Sequence, residues 1–320
     1  MANKTQEGEK IILIGSGDVG ASYAFALVAQ GIGQELGIID VNVDKSEGDA
    51  LDLADGLAFT PPKKIYAADY EDCWDASLIV LTAGAAQEKE ETRLDLIKKN
   101  FKIAKIIVDK VMKSGFDGIF LVASNPVDII TYAVWKFSGL PTKRVIGSGT
   151  SLDSARFRGA LADLIEVDPR DIHAYIIGEH GDSQFPVWSH ANVGGLQIQE
   201  WMNTHPEVTE EVLKKVETEV RDAAYTIIQK KGSTYYGIAI ALARITKAIF
   251  ENQNAILPLS VYLDGLYGEK DIYIGMPAVI NRSGVNCVIE IPLNELESQK
   301  MKASATTIRL MQEEAFRTLS

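Results

Sequence analysis

The sequence is poor in cysteine and contains no long apolar run. Its two cysteines, Cys73 and Cys287, form neither a CxxC pair nor a metal-ligand spacing, which excludes a disulfide framework. No apolar stretch approaches the roughly 18 residues expected of a membrane span. The polar start MANKTQEGEK lacks the apolar segment of a signal peptide. We therefore expect a globular cytoplasmic protein with reduced thiols and no metal site.

Positive charge is also scarce. The 320 residues carry 32 basic and 44 acidic side chains, a formal net charge of -12. Nucleic acids and anionic membranes favour basic surfaces, so neither is expected as a partner. An anionic small molecule is compatible with this chain only where arginines locally outweigh the overall charge.

The first half alternates apolar runs with helical stretches. Continuous apolar runs, typical of strands covered on both faces, lie at 11–14, 36–39, 77–81 and 118–122. Helical stretches such as 19–30 and 94–113 lie between them. This alternation predicts right-handed crossovers and an α/β fold with a doubly wound parallel sheet.

The second half has a different pattern. Long helical stretches at 208–230 and 294–319 are interspersed with strand-like patches near 174–177, 256–259, 276–280 and 288–291. This mixture predicts a second, α+β domain with antiparallel strands. The glycine-rich GSGTS segment places the boundary near 147–149, dividing the chain into 1–148 and 149–320.

A glycine motif follows the first predicted strand. In IILIGSGDVG, the spacing of Gly15, Gly17 and Gly20 allows a tight turn and a close approach of backbone to a pyrophosphate at a helix start. Asp40 ends the second strand, 20 residues after Gly20, where an acid binds ribose hydroxyls and repels a 2'-phosphate. The pattern predicts an NAD site rather than an NADP site. The alternative is a structural turn with Asp40 as an ordinary strand-end residue.

The segment GTSLDSARFRGALADLIEV predicts a helix with Ser151 as its N-cap. Asp153 and Arg156 are three residues apart and share a face, whereas Arg158 lies about 200° from Arg156 around the helix. The two arginines are therefore expected in different sites.

Two histidines follow this helix. His173 and His180 are seven residues apart, an odd separation that directs them to opposite sides of an extended segment. We expect one site with Asp153, Arg156 and His180, and another with Arg158 and His173. Taken singly, each residue favours a structural interpretation, the histidines as structural residues and Asp153 with Arg156 as a surface ion pair.

Several motifs together resemble the L-lactate/malate dehydrogenase family. They are GSGDVG at 15–20, SNP at 124–126, LDSAR at 152–156, GEHGD at 178–182 and KGSTYYGIA at 231–239. The match runs nearly end to end, and the sequence is most similar to bacterial members that act on L-lactate. The resemblance implies a tetrameric enzyme of fermentative glycolysis that transfers hydride between NADH and pyruvate. Residues 1–148 would form the NAD-binding Rossmann domain and 149–320 the substrate-binding, catalytic domain.

The resemblance also implies residue roles. His180 would exchange a proton with the substrate and Asp153 would orient its ring. Arg156 would hold the substrate carboxylate in a bidentate contact, and Arg93 would polarise the carbonyl. We expect a cis Asn125–Pro126 bond, since a turn there would justify the isomer. The implied cofactor contacts are Gly15, Gly17, Asp18, Val19, Gly20, Asp40, Gly84, Ala85, Asn125 and Ser148. The implied substrate contacts are Gln87, Arg93, Asn125, Arg156 and Thr234.

The segment AGAAQEKEETR at 83–93 resembles the family's mobile lid, which brings Gln87 and Arg93 over the substrate. Malate dehydrogenases typically have arginine at the position of Gln87, where it pairs with a second carboxylate. With glutamine, oxaloacetate would bury an unpaired charge at a cost of several kcal/mol, so we expect a preference for pyruvate. Longer 2-oxo acids should be rejected less sharply, by roughly 1–3 kcal/mol per methylene.

Arg158 and His173 match positions that bind fructose 1,6-bisphosphate across a subunit interface in many bacterial members, which implies an allosteric effector and a homotetramer. Three alternatives stay open here: an L-2-hydroxyisocaproate-type dehydrogenase, a malate dehydrogenase, and a non-catalytic NAD-binding protein.

Overall fold

The computed structural model describes residues 8–85 and 93–317, except for the side chains at 93 and 94. Within these residues the strands are β1 Lys10–Ile14, β2 Glu35–Ile39, β3 Lys64–Ala67, β4 Leu78–Leu81, β5 Ile119–Val122, β6 Val145–Gly147, β7 Ile172–His173, β8 Ile176–Ile177, β9 Phe185–Pro186, β10 Asn192–Val193, β11 Leu196–Gln197, β12 Ala255–Asp264, β13 Lys270–Asn281 and β14 Gly284–Val288. The α-helices are α1 Asp18–Gln30, α2 Val43–Asp55, α3 Arg93–Lys113, α4 Val127–Ser138, α5 Ser151–Ile165, α6 Ile198–Thr204, α7 Glu210–Lys231, α8 Tyr236–Phe250 and α9 Glu295–Arg317.

The first six strands form the parallel part of a nine-stranded sheet, in the order β6-β5-β4-β1-β2-β3. Every residue of β1, β4 and β5 is buried, because helices cover both faces. Alternate residues of β1 point to opposite faces. Ile11 and Leu13 pack in a cluster with α1 and α8, while Ile12 and Ile14 pack in a cluster with α3. The predicted doubly wound parallel sheet is confirmed.

The antiparallel strands of the second half continue this sheet. Strands β12, β13 and β14 pair antiparallel with their neighbours, and β12 joins β6 where Ser260 pairs with Gly147. A Cβ atom at Gly149 would lie 2.2 Å from the backbone nitrogen of Ser260, so glycine allows the close approach at this junction. The predicted boundary at 147–149 falls here and stays a prediction.

Two local predictions are wrong. Ser151 is the first residue of α5 rather than its N-cap, which is Thr150. The Ser151 hydroxyl instead donates to the Pro258 carbonyl at 2.6 Å, which ties the helix to β12. The strand expected over 288–291 ends at Val288. The Ile289 nitrogen still donates to the Pro277 carbonyl at 2.8 Å, but the Ile291 carbonyl accepts from the Tyr267 hydroxyl at 2.8 Å.

The structure provides no membrane-spanning candidate among its described helices, since none is both long and apolar enough.

Candidate active site

The glycine turn between β1 and α1 is shaped by close backbone approaches. Gly15 has a φ of +102°, and a Cβ atom there would lie 2.4 Å from the Ala83 nitrogen. A Cβ atom at Gly20 would lie 1.9 Å from the Gly15 carbonyl oxygen. Gly17, the N-cap of α1, has open space where its Cβ would be, and no side chain caps the helix. The turn therefore fits a pyrophosphate laid against the first N–H groups of α1.

Asp40 is held beside this turn. Its carboxylate accepts hydrogen bonds from the backbone nitrogens of Ser16, at 2.7 Å, and Asn42, at 2.9 Å. The side chain of Ser16 contacts Asp49 of α2, which also binds Lys45 at 2.8 Å. These bonds place a half-buried carboxylate at the end of β2, where it can accept from ribose hydroxyls.

The other predicted cofactor residues follow neighbouring strands. Gly84 and Ala85 come after β4, Asn125 after β5 and Ser148 after β6, so all four lie along the carboxyl edge of the parallel sheet. Ligands bind at this edge in open α/β sheets. The Asn125–Pro126 bond is cis, as expected.

Asn100 connects two of these loops and was missed at the sequence level. It is buried in α3, where its Oδ1 accepts from the Ala85 nitrogen at 2.7 Å and its Nδ2 donates to the Asn125 carbonyl at 2.8 Å. The sequence pattern could have indicated Asn100, because it places an amide on the apolar face of a helix, three residues after the buried Ile97.

The predicted acid–base residues lie in contact. His180 Nδ1 is 2.7 Å from Asp153 Oδ2, and Arg156 Nη1 donates to Asp153 Oδ1 at 3.3 Å. Asp153 is buried, whereas about 28 % of the His180 side chain stays exposed. Gly178, with a φ of +96°, exchanges two backbone hydrogen bonds with Gly275 and anchors the loop that carries His180.

Asp153 controls the charge of His180. Burial by itself would lower the pKa of His180, but the charge and hydrogen bond of Asp153 raise that pKa to about 9. Burial would raise the pKa of Asp153, but the charge and hydrogen bond of His180, together with Arg156, hold it below its ordinary value. The pair is therefore an imidazolium and a carboxylate near neutral pH. Because Nδ1 faces Asp153, Nε2 is the ring atom available to exchange a proton with a ligand.

A second buried acid supports the histidine and was also missed. Asp128, in the first turn of α4, accepts from the His180 backbone nitrogen at 2.8 Å and from the Ser260 hydroxyl. Burial raises the pKa of Asp128 to about 6, against the opposing effect of both hydrogen bonds. The sequence signal was an acid in the apolar run after Asn125–Pro126.

The residues of the second predicted cluster make other contacts. Arg158 donates twice to the Pro169 carbonyl, through Nε at 3.0 Å and Nη2 at 2.7 Å. His173 is exposed in β7, four residues after Pro169, while its neighbour Ile172 is buried. Arg158 is half-buried and His173 exposed, whereas Asp153 is buried; a common site for Arg158 and His173 stays a prediction.

The remaining predicted residues are less completely defined. Thr234 is half-buried between α7 and α8, next to Ser233, whose hydroxyl donates to Asp18 at 2.7 Å. Gln87 lies outside the described residues, and Arg93 begins α3 with a side chain outside them. Within 8–85 and 93–317, no group of three or more His, Cys, Asp or Glu residues is arranged to hold a metal ion.

Comparisons with known proteins agree with this geometry. Residues 9–147 match the family model "lactate/malate dehydrogenase, NAD binding domain", and residues 150–318 match "lactate/malate dehydrogenase, alpha/beta C-terminal domain". L-lactate dehydrogenase 1 of Enterococcus faecalis is 66% identical over 97% of this chain and 95% of its own length. L-lactate dehydrogenase of Latilactobacillus sakei subsp. sakei is 61% identical over 100% and 98%.

Solved structures agree as well. A lactate dehydrogenase from a Medee basin deep-sea metagenome library has a TM-score of 0.94 and 50% identity, covering 96% of this chain and 99% of its own. The minor L-lactate dehydrogenase from Enterococcus mundtii, in its ligands-bound form, has a TM-score of 0.94 and 46% identity, covering 96% and 98%. The predicted NAD cofactor is confirmed by the match to the NAD-binding domain. The chain belongs to the lactate/malate dehydrogenase family.

Proposed function

We propose that the protein is an NAD-dependent L-lactate dehydrogenase that interconverts pyruvate and L-lactate. The contacts of Asp153 with His180 and with Arg156 carry the proposal, because they join a proton donor, its countercharge and a carboxylate-binding cation. The His180 nitrogen also donates to Asp128, which follows Asn125 by three residues in the first turn of α4, and this supports a site near the carboxyl edge of the sheet.

Each residue then has a separate task. When bound, the nicotinamide of NADH supplies the hydride to the carbonyl carbon of pyruvate. His180 donates its Nε2 proton to the carbonyl oxygen, and Asp153 stabilises the imidazolium before transfer. Arg156 holds the substrate carboxylate and Arg93 polarises the carbonyl. In lactate oxidation, neutral His180 accepts the hydroxyl proton.

Two further contacts complete the proposed substrate site. Asn125 lies near the reacting oxygen, and Thr234 accommodates the methyl end of pyruvate. Gln87 sets the substrate preference at that end. Its amide provides no countercharge for the second carboxylate of oxaloacetate, and an unpaired buried charge costs several kcal/mol.

The test is the rate of NADH oxidation with pyruvate, oxaloacetate and 4-methyl-2-oxopentanoate. We expect pyruvate to be preferred over oxaloacetate by orders of magnitude and over the longer 2-oxo acid by a smaller factor. Gln87→Arg should shift the preference toward oxaloacetate, while the neutral control Gln87→Met should not. A wild type that prefers oxaloacetate would overturn the proposal in favour of a malate dehydrogenase. A preference for the longer acid would favour a hydroxyisocaproate-type enzyme.

We further propose that Arg158 and His173 bind fructose 1,6-bisphosphate at a subunit interface of a cytoplasmic homotetramer that serves fermentative glycolysis. The exposed His173 and the half-buried Arg158 support an effector site, and the exposed Phe25, Phe59 and Ile240 suit contacts between subunits. Arg158→Gln should abolish activation by the bisphosphate. Arg170→Gln removes a nearby exposed arginine and should reduce this activation less. Sedimentation of the wild type with and without the bisphosphate tests the assembly, and a monomer under both conditions would exclude it.

A further inference from the structure

The cofactor turn contains an acid at the start of its helix. Asp18 is the first residue of α1, directly after Gly17, and its side chain is exposed. The N–H groups of this first helical turn are the donors expected to bind the pyrophosphate. A carboxylate is itself favourable at a helix N-terminus, so Asp18 and a pyrophosphate are attracted to the same place.

Asp18 is held by a residue far away in the sequence. Ser233 Oγ donates to Asp18 Oδ2 at 2.7 Å, across 215 residues of chain. Ser233 lies in the short segment between α7 and α8, next to Thr234 and after Gly232, whose φ is +88°. The bond therefore ties the start of the cofactor helix to the segment that carries a proposed substrate contact.

Charges of both signs surround the turn. Asp40 and Asp49 lie beside it, and Lys45 binds both Asp49, at 2.8 Å, and the Ser16 hydroxyl, at 3.2 Å. Lys231 lies over the ring of Tyr235, 3.3 Å from its centroid. The Asp18 carboxylate adds one negative charge to this group, and binding of a pyrophosphate has to overcome it.

We propose that Asp18 sets the affinity for the cofactor: its carboxylate, anchored by Ser233, weakens binding of the pyrophosphate and so speeds cofactor release. The inference rests on the proposed placement of the cofactor along the glycine turn. The hydrogen bond from Ser233 limits how strongly Asp18 weakens cofactor binding, because it keeps the carboxylate from turning onto the N–H donors of α1. Loss of this hydrogen bond should therefore weaken cofactor binding further.

The test is equilibrium binding of NADH, followed by fluorescence, to the full-length protein. At about 20 mM salt, Asp18→Asn should lower the Kd for NADH about threefold, and at about 0.5 M salt the difference should largely vanish. The rate of NADH dissociation should fall in parallel. Asp18→Ala provides a second neutral variant in case the asparagine amide disturbs the turn. Asp163→Asn removes an exposed acid from α5 and should leave the Kd unchanged.

Two comparisons separate the charge effect from a structural one. ADP-ribose, which contains the pyrophosphate, should respond to Asp18→Asn as NADH does, whereas adenosine should not. Ser233→Ala should raise the Kd for NADH severalfold with Asp18 present and have no effect in the Asp18→Asn background, a non-additive cycle.

Each outcome has a defined meaning. Unchanged or weaker NADH binding in both Asp18 variants, or equal effects on adenosine, would overturn the inference while leaving the enzyme intact. Equal effects of Ser233→Ala in both backgrounds would also overturn it. Absence of NADH binding by the wild type would contradict the proposed function itself.

Discussion

The glycine turn and the His180 cluster are constructed in opposite ways. The turn is contiguous, since residues 15–20 join one strand to one helix and act chiefly through the absence of side chains. The cluster takes Asp128 from α4, Asp153 from α5 and His180 from the loop after β8. The first region depends on space for a ligand, and the second on charges brought together from distant parts of the chain. The two should therefore respond differently to substitution.

His180→Asn should have the largest effect. It removes the proton donor and should lower kcat for pyruvate reduction by about a thousandfold, within the range of general acid–base catalysis. The Kd for NADH should stay near the wild-type value, because the glycine turn is unchanged. Steady-state kinetics and NADH titration measure the two quantities. A kcat within tenfold of the wild type would mean that another group supplies the proton.

Asp153→Asn should follow, with a loss of about a hundredfold in kcat, because the ring loses its orientation and its countercharge. The pKa of His180, about 9 in the wild type, should fall, since the charge of Asp128 alone then opposes the lowering by burial. Pyruvate reduction requires protonated His180, so the alkaline limb of kcat/KM should move to lower pH in the variant. An unmoved limb would show that Asp153 does not control this proton.

The same ion pair predicts a pH-dependent stability. The pKa of His180 is raised from its ordinary 6.5 to about 9, so its stabilising contribution is complete below 6.5 and is lost as the pH rises through about 9. The lowered pKa of Asp153 gives a contribution that is present above its ordinary value of 3.8 and is lost in acid. Chemical denaturation of the wild type and Asp153→Asn should show the largest difference at pH values between the ordinary pKa values of the two groups, 3.8 and 6.5. A difference that persists above the pKa of His180 would exclude the ion pair as its source.

Gly20→Ala should raise the Kd for NADH about tenfold, because an added Cβ would lie 1.9 Å from the Gly15 carbonyl and overpacking typically costs about 1–3 kcal/mol. The free protein should lose thermal stability as well. Gly17→Ala is the matched control, since its Cβ enters open space and should weaken NADH binding without destabilising the free protein. Equal loss of stability in both variants would mean that the turn is not limited by space.

Asp128→Asn should have the smallest effect, a severalfold loss of kcat. An amide oxygen can still accept from the His180 nitrogen, but the negative charge that helps to raise the pKa of His180 is gone. The alkaline limb should therefore move in the same direction as in Asp153→Asn, by less. Ser260→Ala is the control, because it removes one hydrogen bond to Asp128 and keeps the charge. If the alkaline limb of kcat/KM moved further in Asp128→Asn than in Asp153→Asn, Asp128 rather than Asp153 would be the main control on the pKa of His180.

Local features were the most predictable from sequence. The apolar runs of β1 and β4 and the glycine spacing at 15–20 depend on residues close in the chain, so strand–helix alternation and the glycine turn between β1 and α1 were correctly expected. The N-cap prediction for Ser151 was wrong because of a contact between residues far apart in the chain. The residue suits an N-cap, but its hydroxyl has a tertiary partner in Pro258.

The sequence by itself determined the order of strands and helices, the space in the glycine turn and the opposite directions of Arg156 and Arg158, because each follows from helix or strand geometry. Only the tertiary structure decided that Asn100 connects two loops, that Asp128 holds the His180 backbone and that Ser233 reaches Asp18. A polar side chain finds its partner through the path of the whole chain. Hydrogen bonds between residues 15 to 215 positions apart leave no periodic trace in the sequence.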